Sequence, residues 1–242
     1  MAQELPQIAP VARNRPVLAE AVTRELVRDV VTERYAAGTT LPSTVVLCEM
    51  FTVSRTVIRE AITALTEKGL VAARQGVGTV ILDRNSWRLL DPMVLEATFQ
   101  REDGLLFMDQ LIEIRTSLES LMAASAAREV ADNERADLTA RFEALESALA
   151  ESDGYDEADI AFHATIHRIS GNEFAREIIS SIQGKARLVD EYTGAPPQGH
   201  TEITHEEHRH IYEAVTSGDA DASADLMRAH ISRSWARRRP HS

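Results

Sequence analysis

The chain has 242 residues and a net charge of −12, with 44% hydrophobic, 26% charged and only 5% aromatic residues. This composition can supply a sizeable core, excludes collagen-like and low-complexity proteins, and favours a mainly α-helical fold. The lone cysteine, Cys48, cannot form an intrachain disulfide, and no apolar run reaches the roughly 20 residues that cross a bilayer. We therefore expect a cytoplasmic protein without a membrane segment.

The first 82 residues carry the pattern of a winged helix-turn-helix. Residues 1–16 are rich in proline and lack periodicity, which predicts a flexible arm. Apolar positions recur at helical spacing over residues 17–35, after Ser43 and after Ser54, so three helices are predicted, the last two with serine N-caps. Two short strands at 70–74 and 79–82 flank the turn that contains Gly76. We assign this domain to residues 17–82.

The rest of the chain is predicted to be a linker, residues 83–96, followed by an antiparallel helical bundle, residues 97–242. Apolar periodicity and helix-ending residues predict helices at about 93–100, 104–130, 132–152, 155–170, 172–193, 201–217 and 219–238. The longest break between them is 196–199, a Pro-Pro-Gln-Gly sequence. A series of antiparallel helices of this kind encloses one core.

The two parts differ in charge. Residues 1–82 contain nine basic and eight acidic residues, a net charge of +1, whereas the remainder contains seventeen basic and thirty acidic residues, a net charge of −13. All eight histidines also lie in the second part, beginning with His163. The contrast predicts two roles, and it leaves the first part compatible with a nucleic-acid partner.

The third predicted helix presents a polar face suited to DNA. At 100° per residue, Arg55, Thr56 and Arg59 share one arc, opposite the apolar positions that include Ile58. Guanidinium groups bind guanine edges and phosphates in the major groove, and a short hydroxyl such as that of Ser54 can approach the backbone. The alternative is that these side chains only solvate a helix surface, and the surrounding helices and wing argue against it.

Several motifs in this region resemble the DNA-binding domain of the GntR superfamily. They are Leu41-Pro42-Ser43, Val53-Ser54-Arg55-Thr56, Ile58-Arg59-Glu60-Ala61, Gly69-Leu70-Val71 and Arg74-Gln75-Gly76-Val77-Gly78-Thr79. The resemblance implies a double-stranded operator contacted by Ser54, Arg55, Thr56 and Arg59, with Gly76 at the wing tip. The family usually has Glu-Arg-Glu after Leu-Pro-Ser, whereas this chain has Thr44-Val45-Val46, so its operator sequence is expected to differ from the common one.

Polar side chains recur on the inward faces of the predicted bundle. Arg115 falls in an apolar row, where a cation needs an anion, either a carboxylate of this acidic domain or that of a ligand. Asp159 and His163 are four residues apart on one helix face, and His208 and His230 also lie among apolar positions. Converging in one core, these four would hold a divalent metal. Periodicity does not exclude three rival ligands: His167, His205 and His210.

Segments of residues 104–235 resemble the FCD ligand-binding domain of the FadR subfamily. They are Glu113-Ile114-Arg115 with Leu118-Glu119, Asp159-Ile160-Ala161-Phe162-His163, Glu207-His208 and Met227-Arg228-Ala229-His230. The resemblance implies that Asp159, His163, His208 and His230 bind a divalent metal, with zinc expected first and nickel or manganese as alternatives. It also implies that Arg115 lines the pocket of a small organic-acid effector. The segment Trp87–Pro92 resembles sugar-acid regulators of the galactonate type, so the expected effector is a sugar acid.

Together these patterns predict a homodimeric transcription regulator that represses a carboxylate or sugar-acid catabolic operon. One alternative is a hydrolase in which the metal activates water, although such an enzyme has no evident need for Arg55 and Arg59 on a helix face. A second is a regulator with a purely structural metal, for which no small acid would compete.

Overall fold

The computed structural model describes residues 15–151, 153–183 and 199–239, and the chain divides into two compact units between Arg101 and Glu102. The described part of the first unit contains α1 (Arg15–Val31), α2 (Thr44–Phe51), α3 (Arg55–Glu67), β1 (Val71–Arg74), β2 (Gly78–Ile81) and α4 (Pro92–Phe99). That of the second contains α5 (Gly104–Glu129), α6 (Asp132–Glu151), α7 (Tyr155–Ile169), α8 (Glu173–Gln183), α9 (His200–Ser217) and α10 (Ala220–Arg238). The predicted mainly helical class with a small hairpin wing is confirmed.

Both short helices of the helix-turn-helix begin at the predicted N-caps. The Oγ of Ser43 accepts a hydrogen bond from the backbone N–H of Val46, and the Oγ of Ser54 accepts one from Val57, each at 3.4 Å. These serines satisfy N–H groups that the first helical turn leaves unpaired. Between the helices, Thr52 adopts a left-handed conformation (φ 52°) that ends α2. The start of α3 is thereby fixed.

The helices of the first unit enclose one apolar core, which the wing extends. Leu26 of α1 and Ile58 and Leu65 of α3 are fully buried, because each helix turns one apolar face inward. The antiparallel strands β1 and β2 pair with Val71 opposite Ile81, and both of these side chains are buried in the same core. The opposite face of α3 is left to solvent.

The segment predicted as a linker, residues 83–96, packs on the first unit. Trp87 contacts the apolar core, and its indole N–H donates a hydrogen bond to the carbonyl of Leu82 at 3.1 Å. The helix that follows, α4, buries Val94 and Ala97 in the same core. The first unit therefore extends to Arg101, beyond the boundary at residue 82 drawn from the sequence, because these apolar side chains complete its interior.

The second unit is organised around α5, which packs against α7, α8, α9 and α10. Its buried interior includes Met108 and Met122 of α5 and Phe162 and Ile166 of α7. The predicted helix over 172–193 is observed as α8 as far as Gln183; its continuation and the predicted break at 196–198 lie outside the described residues. So does the predicted arm, except for residues 15 and 16, which begin α1. Among the described helices, none has the length and apolar character needed to cross a membrane.

Replacing Gly69 by alanine should destabilise the protein through a steric clash behind α3. Gly69 has φ +72°, and a Cβ there would lie 2.0 Å from the carbonyl oxygen of Ser86. Gly38 is a matched control, because it has a similar φ of +80° but no atom within 4 Å of an added Cβ. We expect Gly69→Ala to cost about 1–3 kcal/mol more than Gly38→Ala, measured by urea unfolding of the full chain. Equal losses for the two variants would contradict the clash.

Candidate metal centre and nucleic-acid interface

The predicted DNA-binding residues lie together on the exposed side of the first unit. Arg55, Thr56 and Arg59 project from the solvent face of α3, and Ser54 caps its N-terminus. Neither arginine forms an ion pair with a residue that the structure describes. Gly76 is exposed at the turn of the wing, where its φ of +76° favours glycine. This face offers two unpaired cations and the N-terminus of a helix, which suit an anionic duplex.

The neighbouring helix α2 exposes several apolar side chains. Val45 is 49% exposed, Val46 43% and Met50 53%. The sequence departs from the GntR pattern at the first two of these positions, and the structure places both in solvent. These positions therefore offer methyl groups, next to the exposed carboxylate of Glu49 on the same helix.

In the second unit, three imidazole rings meet in the bundle interior. The Nε2 of His208 lies 3.2 Å from the Nε2 of His163 and 3.2 Å from the Nε2 of His230. All three rings are buried, and they come from three different helices, α7, α9 and α10. The Oδ1 of Asp159 completes the group, 3.0 Å from the Nε2 of His208 and 3.8 Å from that of His163. The structure thus brings together the four residues proposed as metal ligands.

These separations fit a divalent ion. Nitrogen ligands about 2.0–2.1 Å from a tetrahedral ion lie roughly 3.3 Å apart, close to the observed 3.2 Å. The donor set of three imidazoles and one carboxylate suits zinc, nickel or manganese. Without an ion, the Nε2 of His208 carries either one proton or one lone pair, so it cannot form a well-directed hydrogen bond with both facing nitrogens.

Each ring has an outer partner for its second nitrogen. The Nδ1 of His230 lies 3.0 Å from Oε2 of Glu207, and the Nδ1 of His208 lies 3.2 Å from the hydroxyl of Tyr155. The Nδ1 of His163 lies 3.2 Å from Oε2 of Glu119, at an angle poor for a hydrogen bond. A carboxylate such as that of Glu207 holds the proton on Nδ1 and leaves the lone pair of Nε2 facing the centre, whereas the Tyr155 hydroxyl can either donate or accept.

The ionisable groups around the centre have shifted pKa values. Burial opposes the ionisation of Asp159, but the rings of His208, His163 and His230 together outweigh it and lower the pKa of that carboxyl. Burial and the neighbouring His208 ring lower the pKa of His230 to about 4. Burial also opposes the charge of Glu207, yet hydrogen bonds from His230 and Arg237 lower its pKa to about 2. At neutral pH the centre therefore holds ionised carboxylates and a neutral His230, which is the state that metal ligands need.

Arg115 is paired with a carboxylate of its own helix. Its Nε donates a hydrogen bond to Oε1 of Glu119 at 2.8 Å, and Glu119 is fully buried. The sequence analysis gave two possible anions for Arg115, a carboxylate of this domain or that of a ligand. The structure shows the first of these. The guanidinium is nevertheless incompletely used, because no described residue accepts a hydrogen bond from its two Nη groups.

The rival histidines lie outside the centre. His167 points to Oε2 of Glu119 at 3.1 Å, His205 stacks on Phe142, and His210 is exposed. Sequence reasoning missed the outer residues as functional candidates. For Glu119, the signal was its position four residues after Arg115 on the same helix face.

Comparison with known proteins matches each unit to a described family. Residues 18–81 match the gntR family of bacterial regulatory proteins, and residues 110–233 match the FCD domain. The galactonate operon transcriptional repressor of Escherichia coli K12 is 26% identical over 87% of this chain and 92% of its own length. The regulator LutR of Bacillus subtilis 168 is 31% identical, over 80% and 89%. A GntR protein of Streptococcus agalactiae has a similar structure, with a TM-score of 0.50, 25% identity, and 88% and 97% coverage.

Acidification should destabilise the metal-free protein, because the unfolded chain binds a proton that the folded chain excludes. An exposed histidine titrates near pH 6.5, whereas His230 in the fold has a pKa of about 4. As the pH is lowered from about 6.5 to about 4, the free energy of unfolding should decrease by about 1–3 kcal/mol. The pKa of His163 is raised because its contacts with Glu119 and Asp159 outweigh burial, which opposes this trend and reduces its size.

The measurement is urea unfolding at pH 7 and pH 5 in the presence of a chelator. His230→Gln should reduce the difference between the two pH values, whereas replacement of the exposed His210 by glutamine should preserve it. An identical pH dependence in the parent and in His230→Gln would show that His230 does not contribute.

Proposed function

This chain belongs to the GntR family of bacterial regulatory proteins and carries an FCD domain, and we propose that it represses a sugar-acid operon by binding operator DNA until an acid effector binds. It is a transcription regulator and not an enzyme. The observation that carries the effector proposal is the convergence of three imidazole nitrogens and Asp159 near the partly unused guanidinium of Arg115. Because the matching families and relatives are transcription regulators, we set aside the hydrolase alternative.

DNA binding is assigned to the exposed face of α3. Arg55 and Arg59 are free to bind phosphates and guanine edges, and Thr56 and Ser54 can approach the backbone. The turn that contains Gly76, between β1 and β2, would contact a DNA groove or a backbone phosphate. A homodimer would place two such faces on a near-palindromic operator. A protein that binds operators in bacterial chromosomal DNA would be located in the cytoplasm.

Effector binding is assigned to the metal centre of the second unit. Asp159, His163, His208 and His230 would hold the ion, with zinc as our first choice for this donor set. A bound ion supplies a positive charge that attracts the carboxylate of a small acid. Arg115 would bind a carboxylate through its planar pair of Nη groups. The galactonate repressor among the relatives supports galactonate as the first acid to test.

Replacement of Arg55 or Arg59 by alanine should weaken operator binding and leave effector binding intact. An operator is first selected from random duplexes with the full-length protein, and we expect the selected sequence to be near-palindromic. Loss of a base contact should cost about 1–3 kcal/mol of binding free energy. Loss of a phosphate contact should reduce the slope of log K against log salt concentration by about 1. Arg228→Ala, an exposed arginine of the second unit, is the charge-matched control. Equal operator affinity in all four proteins would refute the assignment.

Zinc and a sugar acid should stabilise the protein together. With excess zinc, galactonate at about 100 times its Kd should add roughly 2.7 kcal/mol to the free energy of unfolding, and a chelator should abolish this gain. Arg115→Gln should retain the zinc-dependent shift but lose the acid-dependent one, whereas Arg141→Gln, on the exposed side of α6, should retain both. A thermal-shift screen of galactonate, other sugar acids and shorter hydroxy acids such as lactate measures these effects. Stabilisation by zinc with no response to any acid would favour the purely structural metal.

A further inference from the structure

One buried carboxylate touches both halves of the proposed effector site. The Oε1 of Glu119 accepts a hydrogen bond from the Nε of Arg115 at 2.8 Å. Its Oε2 accepts one from the Nε2 of His167 at 3.1 Å and lies 3.2 Å from the Nδ1 of His163. A single side chain therefore joins the arginine proposed to bind the effector to a histidine proposed to bind the metal.

Glu119 keeps its negative charge although it is fully buried. Burial opposes ionisation, but the charge of Arg115 and the adjacent rings of His163 and His167 lower the pKa of Glu119 well below its ordinary value. A buried charge of this kind depends on its partners, and the partners depend on it. Any change at Glu119 should therefore be felt on both α5 and α7.

The two oxygens of Glu119 have different effects. The oxygen near His163 favours a proton on Nδ1, which directs the lone pair of Nε2 toward the metal centre. The oxygen bonded to Arg115 uses only Nε, so that both Nη groups stay available for the two oxygens of a ligand carboxylate. Orientation of the metal ligand and orientation of the guanidinium thus have a common origin.

We propose that Glu119 is the positioning residue that couples metal binding to carboxylate recognition, an inference that rests on the proposed function. Its carboxylate sets His163 for the metal with one oxygen and Arg115 for the effector with the other. Loss of this carboxylate should weaken both binding events, although Glu119 itself touches neither ligand.

A second carboxylate in the same centre provides a matched control. Glu207 contacts the Nδ1 of His230 at 3.0 Å and pairs with Arg237 through both of its oxygens, at 2.9 and 3.0 Å. It therefore supports a metal ligand as Glu119 does, but its arginine partner already uses both Nη groups. Glu207→Gln should weaken metal binding without changing how Arg115 meets a carboxylate.

The first measurement is the affinity for Zn²⁺ alone, by competition with a chromophoric chelator. The amide of Glu119→Gln has one acceptor oxygen, so it can serve either the α7 histidines or Arg115 but not both. We expect the Kd for Zn²⁺ to rise about 10–100-fold in both Glu119→Gln and Glu207→Gln, the range found for residues that support a metal ligand. An unchanged Kd in Glu119→Gln, or no Zn²⁺ binding by the parent protein, overturns the proposal.

The second measurement is calorimetric titration of D-galactonate into each protein at saturating Zn²⁺. Bound Zn²⁺ should turn the amide oxygen of Glu119→Gln toward His163, so the amide N–H₂ faces the Nε–H of Arg115 and displaces the guanidinium. We expect about tenfold weaker galactonate binding than in Glu207→Gln, which should match the parent. Equal or tighter binding in Glu119→Gln overturns the coupling. If the parent binds no galactonate, the sugar-acid assignment is wrong and the titration is made with lactate; if the parent binds neither acid, the coupling is overturned.

A second pair of variants guards against misfolding. If circular dichroism shows that Glu119→Gln has lost its helices, Glu119→Asp keeps the charge but withdraws both oxygens by one methylene. It cannot then reach Arg115 and the α7 histidines together. Compared with Glu207→Asp, it should show weaker galactonate binding at saturating Zn²⁺, and both should bind Zn²⁺ less tightly than the parent. Parent-like affinities in Glu119→Asp overturn the proposal.

Discussion

The Nε2 atoms of His163, His208 and His230 meet at separations of 3.2 Å in the interior of the second unit. Hydrogen bonds alone satisfy this arrangement poorly, because the Nε2 of His208 has two nitrogen neighbours but only one proton or one lone pair to share with them. A cation in the centre removes this conflict. The carboxylates of Glu207 and Glu119 suit such an ion, since each favours a proton on the outward nitrogen of its histidine.

Two arginine–carboxylate pairs surround this centre, and they differ in one respect. Glu207 engages both Nη groups of Arg237, which leaves that guanidinium no free edge toward a ligand. Glu119 engages only the Nε of Arg115. The two pairs contact the proposed metal ligands in similar ways, but only the second retains donors for a carboxylate. An acid that binds at this centre would therefore be expected on the side of Arg115.

Sequence periodicity could predict which side chains share a face, but it could not choose among partners on different helices. His163 and His167 lie four residues apart on the inner side of α7, and both are buried. Both rings approach the same oxygen of Glu119 on α5, but only His163 brings its Nε2 to the Nε2 of His208. The N-caps Ser43 and Ser54 were predictable, since capping depends on neighbours within one turn. The packing of Trp87 and α4 was not, because those contacts join distant segments.

Arginine serves both proposed activities, but in opposite surroundings. Arg55 and Arg59 are exposed and unpaired with any described residue, so the contribution to DNA binding that we propose for them would arise largely from displaced counterions and decrease with salt. Arg115 is largely buried and held by Glu119 before any ligand arrives. Its side chain loses little further freedom when it binds a carboxylate, and the low polarity around it limits screening. Recognition at the metal centre should therefore depend on geometry, whereas recognition at the operator depends first on charge.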